Sequence, residues 1–265
     1  MAYQNGHLAG DDPHVTKFYS TRRVESCCAY LLPHLEPGFS ILDVGCGPGS
    51  ITADLAGLVP RGKVTGVDLS QEIIASATSQ YQVPNLSFAT GNAETLDHFP
   101  DASFDVVHAH MCLLHLDDPI KALRAWYRVC KPGGIIACRD GKNFDIISLK
   151  PELPIIRKTW PLYADWMRYR GSDPEAGLHK EDLVRQAGWP LDREGRGKLV
   201  LTDSPQPHFV AMGPIFGPFL QVLIEEGRTS SMEMEEVDAA WKRWSATDEH
   251  EFITVASDML YFKPT

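Results

Sequence analysis

A glycine-rich segment is the feature that most limits how this chain can fold: residues 41–50 read Ile-Leu-Asp-Val-Gly-Cys-Gly-Pro-Gly-Ser. The apolar start of the segment predicts a strand over Ser40–Val44, and the pattern after it predicts a helix from about Ser50 to Leu58. Because glycine has no Cβ, a ligand can come very close to such a turn. The helix start behind the turn offers N–H groups to a carboxylate or phosphate. The alternative interpretation is an ordinary tight turn between a strand and a helix.

Short apolar runs and helical patterns alternate from residue 40 to residue 139. The strands predicted from them are 40–44, 63–67, 85–89, 104–108 and 135–139, and the helices are 50–58, 71–80 and 119–129. This alternation predicts a parallel sheet with right-handed crossovers. After residue 150 it ends, and we expect helices over 153–169, 180–187 and 232–244 and strands over 198–202 and 251–262.

The length and the 43% hydrophobic content suit one elaborated α/β domain over residues 1–265. Its core is expected at about 36–147, where the alternation lies. A flap at about 14–32 precedes the core. A helical lid at about 151–178 and 205–249 follows it.

Polar residues follow the second and third predicted strands. Asp68 ends the second, where a carboxylate can accept hydrogen bonds from both ribose hydroxyls of an adenosine cofactor. Asn92 follows the third, where its amide can meet the edge of adenine. Each has a structural alternative, because Asp is a common helix N-cap and Gly-Asn is common turn chemistry. A dinucleotide-binding turn would carry glycine at position 50, and Ser50 stands there instead.

Composition limits the partners. The formal net charge of −10 disfavours nucleic acid, because phosphate backbones are bound mainly through Lys and Arg. The six cysteines show neither a CxxC pair nor the Cys/His spacing of a zinc site, so we expect free thiols and no metal. No run approaches the roughly 20 apolar residues of a membrane span. We therefore expect a cytoplasmic monomer or homodimer without membrane or nucleic-acid partners.

Taken in order, these segments resemble the class I S-adenosylmethionine (SAM)-dependent methyltransferases, in particular the ubiquinone/menaquinone-biosynthesis-type family and its small-molecule relatives. The resemblance covers about residues 38–140 and rests on five segments: Leu42–Gly49, Gly66–Ser70, Gly91–Ala93, Ser103–Val107 and Arg128–Gly134. It implies a single methyltransferase domain with a Rossmann-like, doubly wound sheet of seven strands, the last one antiparallel. SAM, or its product S-adenosylhomocysteine (SAH), would lie across the carboxyl ends of the first strands.

The resemblance also implies roles for individual residues. The turn Gly45–Gly49 would hold the methionine end of SAM and Asp68 the ribose, and Leu69 with Ile73 would pack against adenine. At Asn92 many family members carry Asp instead. The full set of implied cofactor residues is Tyr19, Asp43, Gly45, Cys46, Gly47, Gly49, Asp68, Leu69, Ile73, Gly91, Asn92, Ala93, His110 and Met111.

Methyl transfer from SAM is an in-line displacement at carbon, so it needs alignment of the acceptor and exclusion of water. A base is required only when the acceptor is protonated. His110 and His115 are the candidate catalytic bases, because both flank the predicted methyl position and imidazole titrates near neutrality. The alternatives are that His110 only contacts the cofactor and that His115 caps or packs a helix. His108 is expected to point to the opposite side of the strand, as a structural residue.

Aromatic residues after residue 150 are expected to form either an apolar lid over the acceptor or a satellite core. They are Trp160, Tyr163, Trp166, Phe209, Phe216, Phe219, Trp241 and Trp244. In the flap, His14 and Phe18 join Tyr19 as candidate covers. Arg139 and Asp140 end the fifth strand and would either bind a polar acceptor or form a structural ion pair.

The sequence therefore predicts methyl transfer to a small organic molecule in an aromatic-lined pocket. Two alternatives stay open at this point. One is a non-catalytic regulatory protein that binds SAM. The other is an NAD(P)-dependent oxidoreductase, which the glycine spacing disfavours.

Overall fold

A single sheet of seven strands organises the computed structural model, which describes residue 16 and residues 19–191, 197–208 and 219–265. The strand order is β3-β2-β1-β4-β5-β7-β6. The bounds are β1 Ser40–Val44, β2 Lys63–Asp68, β3 Leu86–Thr90, β4 Phe104–His110, β5 Cys130–Lys150, β6 Lys198–Pro207 and β7 Glu251–Phe262. β7 runs antiparallel to β5 and β6, and the other pairs are parallel. The predicted doubly wound, Rossmann-like sheet with its last strand antiparallel is confirmed.

The helices between the core strands begin and end where the sequence predicts. The bounds are α1 Val24–Cys27, α2 Ser50–Leu58, α3 Gln71–Gln80, α4 Pro119–Val129, α5 Pro154–Thr159, α6 Pro161–Tyr169, α7 Lys180–Ala187, α8 Phe219–Glu225 and α9 Ser231–Ser245. The helix predicted over 153–169 is two helices, because Pro161 lacks an N–H group and starts a new one. The fifth strand extends past 139 because it continues to pair with β7 after its last pairing with β4.

The two faces of the sheet bury separate apolar cores, because successive residues of a strand point to opposite sides. In β1, Leu42 and Val44 pack with Trp126 of α4 on one face. Ile41 packs with Leu55 of α2 on the other face. All five side chains are fully buried. Burial on both faces fixes β1 in the centre of the sheet, so the turn that follows it lies at the middle of the sheet edge.

A third apolar core forms where the lid was predicted. Helices α5, α6 and α9 pack there with the extended hairpin of β5 and β7, around Trp166, Trp244, Phe144 and Phe252. Part of the second predicted lid segment is not helical. Residues 205–207 belong to β6 because they pair with residues 253–255 of β7.

Two buried ion pairs anchor the middle of β5, where its pairing with β4 stops. Arg139 donates to both carboxylate oxygens of Asp258, at 2.5 and 3.1 Å. Lys180 donates to the carbonyl oxygens of Cys138 and Ser257, and its Nζ lies 3.4 Å from Oδ2 of Asp140. Arg139 and Asp140 therefore pair with other residues and not with each other. Both are at most 3% exposed, so the polar-acceptor role expected for them is not supported.

Replacing Lys180 by Met should lower the free energy of unfolding by about 3–5 kcal/mol, because Asp140 would stay buried without its cation. Lys242→Met is the matched control, since Lys242 pairs with Asp238 at the surface and its side chain is 76% exposed. Exposed pairs of this kind contribute about 0.2–1 kcal/mol. Urea unfolding of both variants measures the difference. Equal small losses would mean that the buried pair does not anchor β5.

Candidate cofactor and acceptor site

A cavity of about 310 Å³ opens at the carboxyl ends of β1, β2, β3 and β4. The turn after each strand bounds it, together with the N-terminal segment that carries Tyr19. His115, a candidate base, is in its lining. So are most of the predicted cofactor residues: Tyr19, Asp43, Gly45, Cys46, Gly47, Asp68, Leu69, Ile73, Gly91, Asn92, Ala93, His110 and Met111. The structure thus brings the predicted site together at one edge of the sheet, with Gly49 as the exception.

Gly49 lies outside the lining because it serves packing. It is the N-cap of α2 and has a φ of +83°, a left-handed conformation that favours glycine. A Cβ at this position would lie 2.8 Å from the Phe88 ring of β3 and 3.2 Å from Cβ of Ala77 in α3. The third glycine is therefore required by the close approach of the turn to its neighbours, and the expected cofactor contact is not supported.

The glycine turn is held against β2. The N–H group of Gly45 donates to the carbonyl of Val67 at 2.8 Å, and that of Gly47 donates to Oδ2 of Asp68 at 3.0 Å. Gly45 and Gly47 have φ values of +67° and +52°. A Cβ at Gly45 would lie 2.7 Å from Sγ of Cys112, whereas one at Gly47 would meet no atom within 4 Å. Gly47 therefore borders open space, in which a ligand can approach the backbone.

Asp68 faces the cavity at the end of β2. Its two carboxylate oxygens accept hydrogen bonds from the N–H groups of Gly47 and Ser70, each at 3.0 Å. The N-cap of α3 is Ser70, whose hydroxyl accepts from the N–H of Ile73 at 3.3 Å. Asp68 is thus not the N-cap, and each oxygen has lone-pair capacity beyond these bonds. Beside it, Leu69 is 45% exposed and presents apolar surface to the cavity.

Asn92 combines both interpretations that the sequence left open. Its carbonyl oxygen accepts a hydrogen bond from the N–H of Glu94 at 2.7 Å, which is turn chemistry. Its amide N–H donors take no part in that bond. The residue also lies in the cavity lining between Gly91 and Ala93.

A chain of buried hydrogen bonds lies next to the glycine turn. Asp43 Oδ2 accepts from the hydroxyl of Thr52 at 2.6 Å, and Asp43 Oδ1 lies 2.7 Å from Nδ1 of His108. Nε2 of His108 lies 3.2 Å from Sγ of Cys28. Burial raises the pKa of the Cys28 thiol well above its ordinary value, so the thiol keeps its proton and donates to Nε2. Nδ1–H of His108 then donates to Oδ1 of Asp43. Sequence reasoning found Asp43 and missed Thr52 and Cys28.

His110 ends β4 and is 6% exposed. The expectation that His108 points to the opposite side was wrong, because residues two apart share a face of a strand. Neither ring nitrogen of His110 has a hydrogen-bond partner within the described part of the chain. Burial, and after it the positive charge of Arg22, lowers the pKa of His110 well below its ordinary value. The imidazole is therefore neutral near pH 7, with one donor and one acceptor nitrogen.

His115 is positioned by the turn that carries it. Its Nδ1 lies 2.8 Å from Oγ of Ser172. In the 3₁₀ turn Leu113–His115, the N–H of Leu114 donates to Oδ1 of Asp140 at 3.3 Å, and the carbonyl of Leu114 accepts from the N–H of Asp173 at 2.8 Å. These bonds hold the ring at the edge of the cavity. A base candidate needs such an orienting partner.

Sequence reasoning missed several residues of the lining: Arg22, Pro48, Ser50, Ile51, Val67, Glu94, Cys112, Leu116 and Asp117. Some of them had a signal, since Glu94 and Cys112 lie within two residues of predicted site positions. Arg22 had none, because the adjacent residues Arg22 and Arg23 in a polar segment form no pattern that indicates a site. Its place in the site follows only from the tertiary fold.

None of the described aromatic residues of the predicted lid lines the cavity. Trp160 stacks on Tyr163 and Tyr163 on Trp166, with ring centroids 4.8 and 5.6 Å apart. These rings bury one another, so they form the satellite core that was the alternative. Tyr19 is the aromatic residue of the lining. The remaining expected cover residues, or their side chains, lie outside the described residues: His14, Phe18, Phe209, Phe216 and Phe219.

The described residues hold neither a cluster of metal ligands nor a helix that could span a membrane. No group of three or more His, Cys, Asp or Glu among the described residues could hold a metal ion. Nor does any helix in those ranges combine the length and apolar character needed to cross a bilayer.

Residues 42–138, from β1 to β5, match the protein family described as the methyltransferase domain. This part of the chain is a methyltransferase domain. It contains the glycine turn, Asp68, Asn92 and His110, and it ends before the helices of the third apolar core begin. The predicted resemblance to methyltransferases is confirmed, and the family implies SAM as the cofactor.

Curated relatives extend the comparison. An uncharacterized methyltransferase of Schizosaccharomyces pombe is 39% identical over 49% of this chain and 50% of its own length. The Aspergillus luteorubrus protein named "Probable methyltransferase ltbC" is 29% identical over 98% of each chain. A demethylmenaquinone methyltransferase of Lactococcus lactis is 38% identical over 57% of this chain and 66% of its own. The chain thus spans about half of the first relative and slightly less than two thirds of the third.

Solved structures share the fold. Phosphoethanolamine N-methyltransferase 2 of Haemonchus contortus, solved with phosphomonomethylethanolamine and SAH, superposes with a TM-score of 0.54 and 18% identity. The match covers 87% of this chain and 50% of that one. At this identity the likeness concerns the fold alone.

In the methyltransferase domain, Asp68→Ala should weaken SAH binding by roughly 1.5–3 kcal/mol, the range for hydrogen bonds to charged groups. The control is Ser70→Ala, which removes the N-cap acceptor of α3 and leaves the carboxylate. It should cost about 1 kcal/mol of stability and little SAH affinity. Titration calorimetry with SAH measures both. An unchanged Kd in Asp68→Ala would limit Asp68 to its contacts with Gly47 and Ser70.

His110→Gln should make stability less sensitive to acid. The pKa of His110 in the folded protein lies below its ordinary value of 6.5, so the unfolded chain binds more protons as the pH falls below 6.5. The parent therefore loses free energy of unfolding in that range, by up to about 1.4 kcal/mol per pH unit for this group. Urea unfolding from pH 7 to pH 5 should show a flatter profile for His110→Gln, and a parental one for exposed His98→Gln. A parental slope in His110→Gln would contradict a buried neutral ring.

Proposed function

We propose that this chain transfers the methyl group of SAM to a small organic molecule by in-line displacement. The observation that carries the proposal is one cavity in which the glycine turn, Asp68 and the candidate bases His110 and His115 meet. SAM supplies an electrophilic methyl group on a positively charged sulfur. The chain has to bind the cofactor, align the acceptor and exclude water.

The residues of the cavity fit this cofactor. The open side of Gly47 leaves room beside the backbone. Asp68 offers its carboxylate to the ribose hydroxyls, and Leu69 with Ile73 offers apolar surface to adenine. Buried polar atoms are normally paired, so the ring nitrogens of His110, which lack partners in the described ranges, favour a ligand at that end. We assign further cofactor contacts to Tyr19, Asp43, Gly45, Cys46, Gly91, Asn92, Ala93 and Met111.

We place the acceptor at the end of the cavity that His110 and His115 share with Tyr19. Burial raises the pKa of Tyr19, so its phenol is neutral and can cover the site without adding charge. Tyr163 of the third apolar core lies near Tyr19 and Arg22: burial raises its pKa, and the positive charge of Arg22 opposes that rise. The aromatic core therefore borders the acceptor end and helps to keep water out, although it does not line the cavity.

The acceptor class and setting rest on charge and on relatives. The net charge of −10 disfavours nucleic acid as substrate. Relatives named demethylmenaquinone methyltransferases support a small organic acceptor. We expect a cytoplasmic monomer or homodimer.

Incubation with labelled SAM and a panel of small-molecule acceptors tests the function. We expect SAH and a labelled product to form together. Tight SAH binding with no product from any acceptor would instead favour a regulatory protein that binds SAM without catalysis.

If the acceptor is a hydroxyl or an acidic carbon, replacing the responsible base by Gln should lower kcat by about 10²–10⁴-fold. The variants are His110→Gln and His115→Gln, measured at saturating SAM across pH. Because burial lowers the pKa of His110, a rate that depends on it should stay high down to pH 6.5 and fall only in stronger acid. With an amine or thiol acceptor neither change should cost this much. Full rates in both variants with a hydroxyl acceptor would place the base elsewhere.

A further inference from the structure

Met111 lies between the cavity and the third apolar core. It directly follows His110, the last residue of β4, and its side chain is half-buried. Within the part of the chain that the structure describes, it is the one residue that both lines the cavity and packs against the core around Trp166, Trp244 and Phe252. The cavity and the core therefore share this side chain as a common wall.

The surrounding backbone fixes the position of Met111. Its φ is +53°, a left-handed conformation that residues with a Cβ rarely adopt. Its N–H donates to the carbonyl of Arg139 at 2.6 Å, and Arg139 is held by Asp258. Three residues later, the N–H of Leu114 donates to the buried carboxylate of Asp140. An unfavourable backbone conformation persists only where its surroundings enforce it, so these bonds determine where the wall stands.

Aromatic rings fill the core behind Met111. Leu114, one residue before His115, is fully buried in the same core, so the core reaches the turn that carries the second candidate base. The rings of Phe144 and Tyr163 pack edge to face in this core, with centroids 5.3 Å apart. Both residues are at most 9% exposed. Mostly apolar surface therefore lies on the far side of the wall from the cavity.

A methionine at this position makes the wall adjustable. Its side chain is unbranched, has three rotatable bonds and fills irregular spaces between apolar groups. Its backbone is fixed, so a change of shape here is a change of side-chain rotamer. Such a change moves the thioether and its methyl group relative to the core and to the cavity. The space beside His110 therefore depends on this one side chain.

We propose that Met111 limits the length of the acceptor, an inference that rests on the proposed methyl transfer. An acceptor whose reacting atom lies beside His110 and His115 meets the Met111 side chain with its apolar part. Where this side chain is absent, the acceptor end of the cavity continues into the aromatic core. Met111 thus determines specificity for acceptor size and takes no part in moving protons or the methyl group.

Phenol and 4-phenylphenol test the wall, because they differ by one ring. Met111→Gly removes the side chain and suits the left-handed backbone. In the SAH-saturated protein, the Kd for 4-phenylphenol should fall about tenfold or more, the effect of burying one further ring, and the Kd for phenol should change less. Met111→Leu conserves the volume and should keep the parental ratio of the two Kd values. NMR titration measures both. Equal changes for the two probes, or no gain for 4-phenylphenol, overturn the inference.

Met167→Ala is the matched control for a loosened core. Met167 is 1% exposed in the third apolar core and is not part of the cavity lining. Its truncation removes packing from the core and leaves the wall in place, so the ratio of the two Kd values should stay parental. A gain for 4-phenylphenol equal to that of Met111→Gly would mean that any loss of core packing admits the probe, and would overturn the inference.

Transfer from labelled SAM tests the same wall during turnover. The acceptors are matched pairs that do not depend on the reacting atom: phenol and 4-phenylphenol, benzylamine and 4-phenylbenzylamine, thiophenol and 4-phenylthiophenol. Met111→Gly should raise kcat/KM for the longer member relative to the shorter one by about tenfold or more. An unchanged ratio overturns the inference and leaves the proposed function standing. No product from any acceptor of these pairs or of the panel overturns the proposed function, while the binding measurement decides on the wall by itself.

Discussion

The buried carboxylate of Asp43 joins the elements on which the cavity depends. It accepts from Thr52 in α2 and from His108 in β4, and His108 in turn accepts from Cys28 just after α1. A buried charge is costly unless its hydrogen-bonding capacity is used, so these partners support the glycine turn that follows Asp43. The turn, two central strands and the N-terminal segment therefore behave as one unit. Substitutions at Thr52 or His108 should reach the cavity through Asp43, although neither side chain lines it.

Buried ion pairs also support the segment between β4 and α4, which lines another side of the cavity. Lys180 neutralises Asp140, and Asp140 accepts from the N–H of Leu114 in the turn that carries His115. Arg139, paired with Asp258, offers its backbone carbonyl to the N–H that follows β4 at 2.6 Å. The charges in the middle of β5 thus shape the segment between β4 and α4, and none of these charged side chains is in the cavity lining. The mutual attraction of these groups and their added hydrogen bonds offset the desolvation cost that such buried pairs carry.

Local patterns in the sequence predict the sheet and the helices of the core, because apolar periodicity and turn glycines act over a few residues. Local patterns do not predict contacts between residues that are far apart in the sequence. The extension of β5 depends on pairing with β7, and the bond from Cys28 to His108 spans 80 residues. Glycine spacing cannot separate Gly47, which borders the open cavity, from Gly49, which packs on Phe88. The place of Arg22 follows from how the N-terminal segment crosses the sheet edge, and no pattern signals it.

The proposed cofactor contacts lie mostly within the segment that matches the methyltransferase family, whereas other residues of the site lie outside that segment. Parallel strands bring the ends of β1 to β4 to one edge, so the groups proposed to hold SAM are consequences of the shared core that spans 42–138. Arg22 precedes that segment, and Ser172, which holds His115, follows it. Segments outside the alternating strands and helices of the core are less constrained by the geometry of the sheet. Their residues can therefore change without disturbing the cofactor site. The choice of acceptor is therefore expected to depend on flanking residues such as Ser172 and on the third apolar core behind Met111, which lie mostly outside the methyltransferase domain shared with the relatives.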